Sequence, residues 1–357
     1  MNRFLAVVWI LIIKNAQSII TMSDSKPSLP THPSGETMKA VCFTSFGEAD
    51  DVLSVQTISK PFVSKGDQVL IQVHAAALNP IDKLRVAGYI SGMIPEQYNT
   101  SVLGYDVSGV ISEVGDDVSD YKVGDEVYVR LAGMDYGALA EYAVCSTGEI
   151  AKKPSNISFS DAASIPLAGL TALQSLRKGG VTEGSKVFIP GGAGGVGSLA
   201  IQIAKKMLKA SHVCTTASTG KGFDICKEAG ADQIIDYRSE KFEEVLAGED
   251  FDMVFDTMVQ AGQMGPLLKK GGKIVSIAGN ANKDGAADKA AEEAGGTWEF
   301  FFMHPDGKDL EEIATYLESG EIKAFIDTEA ASLDDFKVAV DKLWSGRSKG
   351  KCVIKVV

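Results

Sequence analysis

At 357 residues the chain is long enough for two domains of ordinary size. Its 47 acidic residues outnumber 35 Lys and Arg, and the net charge of −12 disfavours nucleic acid and anionic membranes as partners. Five scattered cysteines, an odd number, do not make a disulfide framework and point to a reducing compartment.

The chain opens with Arg3 and an apolar run from Phe4 to Ile13, too short to span a bilayer. The run has the form of a signal-peptide core, and Ala16-Gln17-Ser18 is a passable cleavage site. The stretch "MSDSKPSLPTHPSGET" that follows is polar and proline-rich, and Met22 and Met38 are alternative starts. Residues 1–37 therefore read as a disordered or targeting segment. The expected location is cytoplasmic, with a chloroplast or secretory route as the alternative.

From 38 to 160 the chain reads as β-rich. "KAVCFTSF", "DQVLIQVHAAAL", "SGVISEVG" and "DEVYVRL" are short runs of branched residues between Gly, Asp and Pro. From 161 to 305 strand and helix signals alternate. "SKVFIP" leads into a glycine-turn helix, "SHVCTTAS" into "FDICKEAG", "DQIIDY" into "SEKFEEVL", and "FDMVFDT" into "QMGPLLKKG", before "GKIVSIAG" closes the set. Such alternation predicts a doubly wound parallel sheet. From 306 to 357 two helical stretches and the strand "KCVIKVV" return to the character of the first part. The expected architecture is α/β, with a dinucleotide-type domain inserted into a β-rich one.

One short segment carries most of the chemistry. "PGGAGGVGSLAIQIAK" crowds glycines between the buried run Lys186 to Ile189 and an apolar helical face of Val196, Leu199, Ala200, Ile203, Ala204, Met207 and Leu208. Gly192, Gly194 and Gly197 fit G-x-G-x-x-G. The first glycine is read as making the turn, the second as admitting a pyrophosphate to the backbone, and the third as letting helix and sheet pack closely. The helix N-terminus then offers N–H groups and a positive dipole end to phosphates. The second strand ends Thr215-Thr216-Ala217-Ser218-Thr219-Gly220-Lys221, with no carboxylate before Asp224. A carboxylate would favour the ribose hydroxyl of NAD; hydroxyls and a lysine favour the 2′-phosphate of NADPH.

Several blocks resemble a known family. "AALNPIDKLRVAGY", "LGYDVSGVISEVGDDVSDYKVGDEVY", "SIPLAGLTAL", "GGAGGVGSLAIQIAK" and "EAGADQIIDY" are similar to the medium-chain dehydrogenase/reductase superfamily, in its zinc-free quinone oxidoreductase branch. The wording is nearest the plant NADPH-dependent alkenal and enone reductases and the chloroplast-envelope quinone oxidoreductase homologues. The resemblance runs from Met38 to Val357. It implies a GroES-like catalytic domain, an inserted Rossmann domain, NADPH as cofactor, an enone or quinone as substrate, and commonly a dimer. A protein that binds NADPH in a structural or regulatory role is the rival reading.

The resemblance also assigns residues. The cofactor cradle falls on Gly192, Ala193, Gly194, Gly195, Val196 and Gly197. Thr171 is implied near the nicotinamide ribose or carboxamide, or is a helix hydroxyl bonded to its own backbone. Ser218, Lys221 and Tyr237 are implied around the 2′-phosphate. Ala278-Gly279 and Met303 are implied at the nicotinamide, and the Phe300-Phe301-Phe302 run beside Met303 also reads as a sheet-edge or dimer strand. Lys351 is implied near the cofactor or is solvated. Asn79, Asp82 and Tyr89 are implied at the substrate cleft, with Asp82 alternatively capping a helix that starts at Pro80 or Ile81. Lys83 stands where animal quinone reductases carry a second tyrosine. "GNANKDGAADKAAEEAGG" reads as a solvated helix or a pocket cover. Zinc-dependent members carry a cysteine at the position of Asn79 and Gly-His-Glu at Gly104-Tyr105-Asp106, so no metal is expected. His74, in a strand, reads as a packed histidine.

Overall fold

The computed structural model describes residues 26–91, 98–133 and 136–357. The apolar run Phe4 to Ile13, Ala16-Gln17-Ser18 and Met22 lie outside the described residues. Among the described residues no helix is long and apolar enough to cross a membrane.

The first part runs β1 (Thr37–Phe43), the single turn α1 (Ala49–Val52), β2 (Ser54–Ser59), β3 (Gln68–Leu78), α2 (Pro80–Val86), β4 (Ser101–Val102), β5 (Asp106–Val114), β6 (Glu126–Arg130), β7 (Tyr142–Ser146) and β8 (Ile150–Lys152). β3 organises it. Val69, Ile71 and Val73 face the β-domain core, and a register shift at His74 returns Ala76 and Leu78 to that face. His74 itself stacks on Phe159, with ring centroids 4.2 Å apart. Burial lowers the imidazole's pKa.

The middle part runs α3 (Phe159–Ala163), α4 (Pro166–Lys178), β9 (Lys186–Ile189), α5 (Gly195–Gln202), β10 (His212–Ala217), α6 (Lys221–Ala229), β11 (Gln233–Asp236), the single turn α7 (Phe242–Val245), β12 (Phe251–Asp256), β13 (Leu268–Ser276), α8 (Ala286–Glu293) and β14 (Thr297–Phe300). β9 to β14 form one sheet in the order β11-β10-β9-β12-β13-β14, and every neighbour is parallel. Renumbered from β9 this is 3-2-1-4-5-6, the doubly wound dinucleotide order, whose direction of winding reverses between β9 and β12.

The chain then adds α9 (Gly307–Glu318), β15 (Ile326–Ala330), α10 (Phe336–Trp344) and β16 (Lys351–Lys355). β16 pairs antiparallel with β3, so the end of the chain rejoins the first sheet, ordered β15-β16-β3-β5-β6-β8 with β7 also on β3. A separate small sheet has the order β2-β1-β4. The two parts share a core: Tyr128 and Ala151 of the β-rich part pack in one cluster with Ile189 and Leu199. Tyr128 Oη also donates to Leu310 O at 2.6 Å.

Three expectations need correction. "QMGPLLKKG" is not a helix: it follows the 3-10 turn Ala261–Gln263, forms a second at Gly265–Leu267, and then enters β13. Pro266 and two glycines make a poor helix. α8 also lies so close that a Cβ on Gly265 would stand 2.0 Å from Ala290 O. "GKIVSIAG" does not close the sheet, because β14 extends it as the sixth strand. The stretch before β14 is a crossover helix, α8, whose Ala287 and Ala291 are buried at i,i+4 spacing. It is therefore not a fully solvated helix.

Asp256, fully buried at the end of β12, shapes the loop beside the switch point. Its Oδ1 accepts from the N–H groups of Met258 and Gln260, each at 3.0 Å, and its Oδ2 from Ala261 N–H at 3.0 Å and Ser276 Oγ at 3.1 Å. This holds Val259 at φ 61°, a costly conformation for a β-branched residue. Asp256→Ala should lower unfolding stability by about 2–4 kcal/mol, since several buried donors lose their acceptor. Urea denaturation checks this; an unchanged midpoint would contradict it.

Candidate active site

Between β9 and α5 the backbone turns over Pro190 to Gly194. Gly194 N–H donates to Gly191 O at 3.0 Å, so Gly192 and Ala193 form the corner of the turn, and Gly191 before them is left-handed at φ 73°. Gly192 is needed for closeness: a Cβ there would stand 2.1 Å from Thr215 Oγ1. At Gly197 a Cβ would stand 2.3 Å from Gly191 O, so this glycine lets α5 lie on the turn. Thr216 fixes the loop, accepting Gly191 N–H on its hydroxyl at 3.0 Å and Gly192 N–H on its carbonyl at 3.1 Å.

Gly194 is different. A Cβ there would have a single neighbour within 4 Å, Gly191 O at a tight 3.3 Å, so protein atoms crowd it from one side only. Ala193, Gly194, Gly195 and Val196 are all partly exposed. The first-turn N–H groups of α5 have no acceptor within the helix. An open cradle at the positive end of an eight-residue helix fits a pyrophosphate.

The other cofactor candidates surround this cradle unequally. Ser218 is buried, and its Oγ lies 3.2 Å from where a Cβ on Gly222 would be, beside Ala193. Tyr237 N–H donates to Ala217 O at 3.4 Å, and its side chain is 52% exposed at the carboxyl end of the sheet. Lys221 opens α6, but its Nζ donates to Asp327 Oδ1 at 2.6 Å. Ala278 and Gly279 leave β13 at the same sheet end. The Met303 side chain is buried in the shared core. Its neighbour His304 is held by Gln174, which accepts His304 N–H at 3.1 Å and donates to His304 O at 3.0 Å. Thr171 Oγ1 donates to Leu167 O at 2.6 Å, the backbone-bonded arrangement.

Lys351 is not solvated. It is 5% exposed, and its Nζ donates to Asn79 Oδ1 at 2.5 Å and Asp106 Oδ2 at 3.1 Å. Asn79 Nδ2 also donates to Asp106 Oδ2 at 2.8 Å, and Leu167 N–H, at the start of α4, donates to Asp106 Oδ1 at 2.7 Å. This buried network draws on α2, β5, β16 and α4. It also touches the glycine loop: a Cβ on Gly195 would stand 2.7 Å from Lys351 Cδ, and Gly350 N–H donates to Ala193 O at 2.8 Å. Asp106 was not singled out from the sequence, nor were Gly191, Thr216 and Asp327.

The remaining cleft candidates separate. Asp82 is fully buried, accepting Asn79 N–H at 2.7 Å and Gly104 N–H at 3.1 Å. It caps α2 and does not line a cleft. Burial outweighs those bonds and pushes its pKa from near 3.8 up to about 7. Tyr89 sits on the turn after α2, 43% exposed and outside the Lys351 network. Lys83 Nζ donates to Trp344 O at 3.1 Å.

The network does not suit a metal ion. Its donors are an amide and one carboxylate, and an ammonium already bonds to both. Among the described residues no group of three His, Cys, Asp or Glu side chains is placed to hold a metal. All five cysteines are free and buried.

A doubly wound sheet with an open glycine cradle at its switch point, joined to a β-rich unit, defines a two-domain oxidoreductase of the nicotinamide-dependent kind. Comparison with known proteins agrees. Residues 65–155 match the alcohol dehydrogenase GroES-like domain, and residues 229–354 match the zinc-binding dehydrogenase domain. The 2-methylene-furan-3-one reductase of Solanum lycopersicum is 36% identical, the match covering 99% of this chain and 87% of that protein. The chloroplastic NADPH-dependent alkenal/one oxidoreductase of Arabidopsis thaliana is also 36% identical, over 81% and 72%. The quinone oxidoreductase structure from Coxiella burnetii superposes with a TM-score of 0.79 at 33% identity, covering 90% of this chain and all of that one. The chain belongs to the medium-chain dehydrogenase/reductase superfamily, in its quinone oxidoreductase branch.

Two measurements test this geometry. Gly194→Val should lose cofactor binding at a modest cost in stability, its Cβ standing 3.3 Å from Gly191 O, whereas Gly197→Ala should destabilise the domain more, its Cβ standing 2.3 Å from the same atom. Thermal melts with and without NADPH separate the cases; a Gly194→Val protein that still gains stability from NADPH would contradict the cradle. Asp82 gives a pH test. A carboxyl whose pKa is raised on folding stabilises the native state below its unfolded pKa, and that stability is lost as pH rises through the folded value. Wild-type stability relative to Asp82→Asn should therefore fall between about pH 4 and pH 7. A constant difference across that range would contradict the shift.

Proposed function

We propose that the protein is an NADPH-dependent reductase of α,β-unsaturated carbonyls or quinones that works without a metal. The observation that carries this is the open Gly194 cradle at the switch point, bordered by the buried Lys351 network. The pyrophosphate would rest on residues 192–197. Ser218, Lys221 and Tyr237 would hold the adenosine 2′-phosphate end. Thr171, Ala278, Gly279 and Met303 would line the nicotinamide side.

Bound there, the reduced nicotinamide supplies a hydride to an electrophilic carbon of the substrate. The chain's own work is then mainly positioning. Lys351 lies beside the cradle, and its ammonium offsets the charge of Asp106 and fixes Asn79 at the border of the site. Asp82 holds the turn that presents Asn79. Tyr89 stands near the substrate as an exposed phenol. The proton that completes the reduction of an enone comes from solvent or from Tyr89.

Two further assignments accompany this one. The protein is a homodimer, supported by the edge position of β14 and the exposed Phe302 next to it. It works in the cytoplasm, supported by five free buried thiols, with a chloroplast or secretory route as the alternative.

Steady-state NADPH oxidation with a small panel of alkenals and quinones, in the presence of a chelator, is the direct test. Turnover unaffected by the chelator is expected. Tight NADPH binding with no turnover on any of them would favour the structural or regulatory reading instead. Lys221→Ala should raise the Kd for NADPH about three- to tenfold, allowing for solvent screening of a half-exposed lysine, and leave NADH within twofold. Equal effects on both cofactors would place the phosphate elsewhere.

A further inference from the structure

Asp327 stands on β15, which belongs to the β-rich sheet, yet its carboxylate faces the dinucleotide domain. β15 pairs with β16 through Ile326 opposite Lys351 and Thr328 opposite Cys352, so Asp327 is an extra residue at a register shift. Bulges of this kind re-aim one side chain and recur beside functional sites. Here the side chain is 6% exposed and takes three donors: Lys221 Nζ at 2.6 Å, Lys342 Nζ at 3.0 Å and Lys349 N–H at 3.0 Å. Burial opposes ionisation of Asp327, yet these bonds hold its pKa below the usual carboxylate range. Lys342 and Lys349 lie in or beside the β-rich part, whereas Lys221 comes from the first turn of α6. The pair Lys221–Asp327 is therefore a charged strap between the two domains, anchored on a bulge next to Lys351.

We propose that Asp327 is a specificity-determining residue that competes with the cofactor's 2′-phosphate for Lys221. Asp327 holds the ammonium against the β-rich part. A ligand with a phosphate on the adenosine ribose draws that ammonium away and releases the strap; a ligand without one leaves the strap closed. Asp327 thus tempers affinity for the phosphorylated cofactor and ties its binding to a contact between domains. NADP+ carries the same phosphate, so the tempering applies to the product as well. The inference rests on the assignment of Lys221 to the 2′-phosphate, and the test separates the two.

The test measures Kd values for NADPH, NADP+ and NADH by fluorescence or calorimetric titration at fixed ionic strength. The proteins are wild type, Asp327→Asn, Lys221→Ala and the double variant. Asn keeps an acceptor for Lys349 N–H but gives up the charge. Asp327→Asn is expected to bind NADPH and NADP+ about three- to tenfold tighter and NADH within twofold. In the Lys221→Ala background the same change should have no effect, because the competition needs the lysine. A gain that persists without Lys221 would be a general field effect and would overturn the proposal. So would NADPH binding that is unchanged or weaker in Asp327→Asn while Lys221→Ala still loses affinity. If Lys221→Ala leaves NADPH affinity intact, the phosphate assignment itself fails, and the proposal with it. Asp327→Ser, smaller and uncharged, gives the same expected ratios should the Asn variant fold poorly.

Discussion

The structure depends on a backbone contact between two domains that are far apart in sequence. Gly194 bridges Gly350, and Gly350 N–H donates to Ala193 O. The approach requires a bare position at Gly195, where a Cβ would stand 2.7 Å from Lys351 Cδ. Gly350 itself, at φ 101°, is held to glycine from its own side, because a Cβ there would stand 2.2 Å from Phe325 O. The glycines of the loop therefore serve two ends. Some bring α5 onto the sheet, and Gly195 leaves room for the stem of Lys351 from the β-rich part.

The joint determines where Lys351 lies. Immediately after Gly350, it passes its stem under Gly195 and ends between Asn79 and Asp106. Burying an ammonium is costly unless charge and hydrogen bonds accompany it. Asp106 supplies the charge, Asn79 bonds to both Lys351 and Asp106, and Leu167 N–H donates to the other Asp106 oxygen. Asp82 fixes Asn79 in turn by capping α2. The result is a buried polar cluster beside the phosphate cradle, with Lys221 and Asp327 forming a second charged contact across the same seam.

Much of this was legible in the sequence because it is local. The strand–glycine–helix order, the absence of a carboxylate after β10, and Asn79 and Asp82 around Pro80 all lie within short windows. The partners of the network did not show, because Lys351 is 272 residues from Asn79 and 245 from Asp106. No periodicity reports such contacts. Lys351 and Lys221 alike look like ordinary surface lysines until their acceptors are known. The left-handed Gly191 ahead of the turn did not show, because the motif fixes spacing but not φ. The crossover after β12 was misread as helix because an apolar Met-Gly-Pro-Leu-Leu stretch has helical length but not helical residues. Ala287 and Ala291, spaced by four, were the available sign that α8 is half buried.

The central claim is that this cradle delivers a hydride to carbon. It is tested most directly with NADPH deuterated at C4, each face labelled separately, and a 2-alkenal as acceptor. Mass spectrometry and NMR of the saturated product should find deuterium on the β-carbon from one of the two labelled cofactors and not from the other. A saturated product unlabelled by both, or labelled equally by both, would contradict the account.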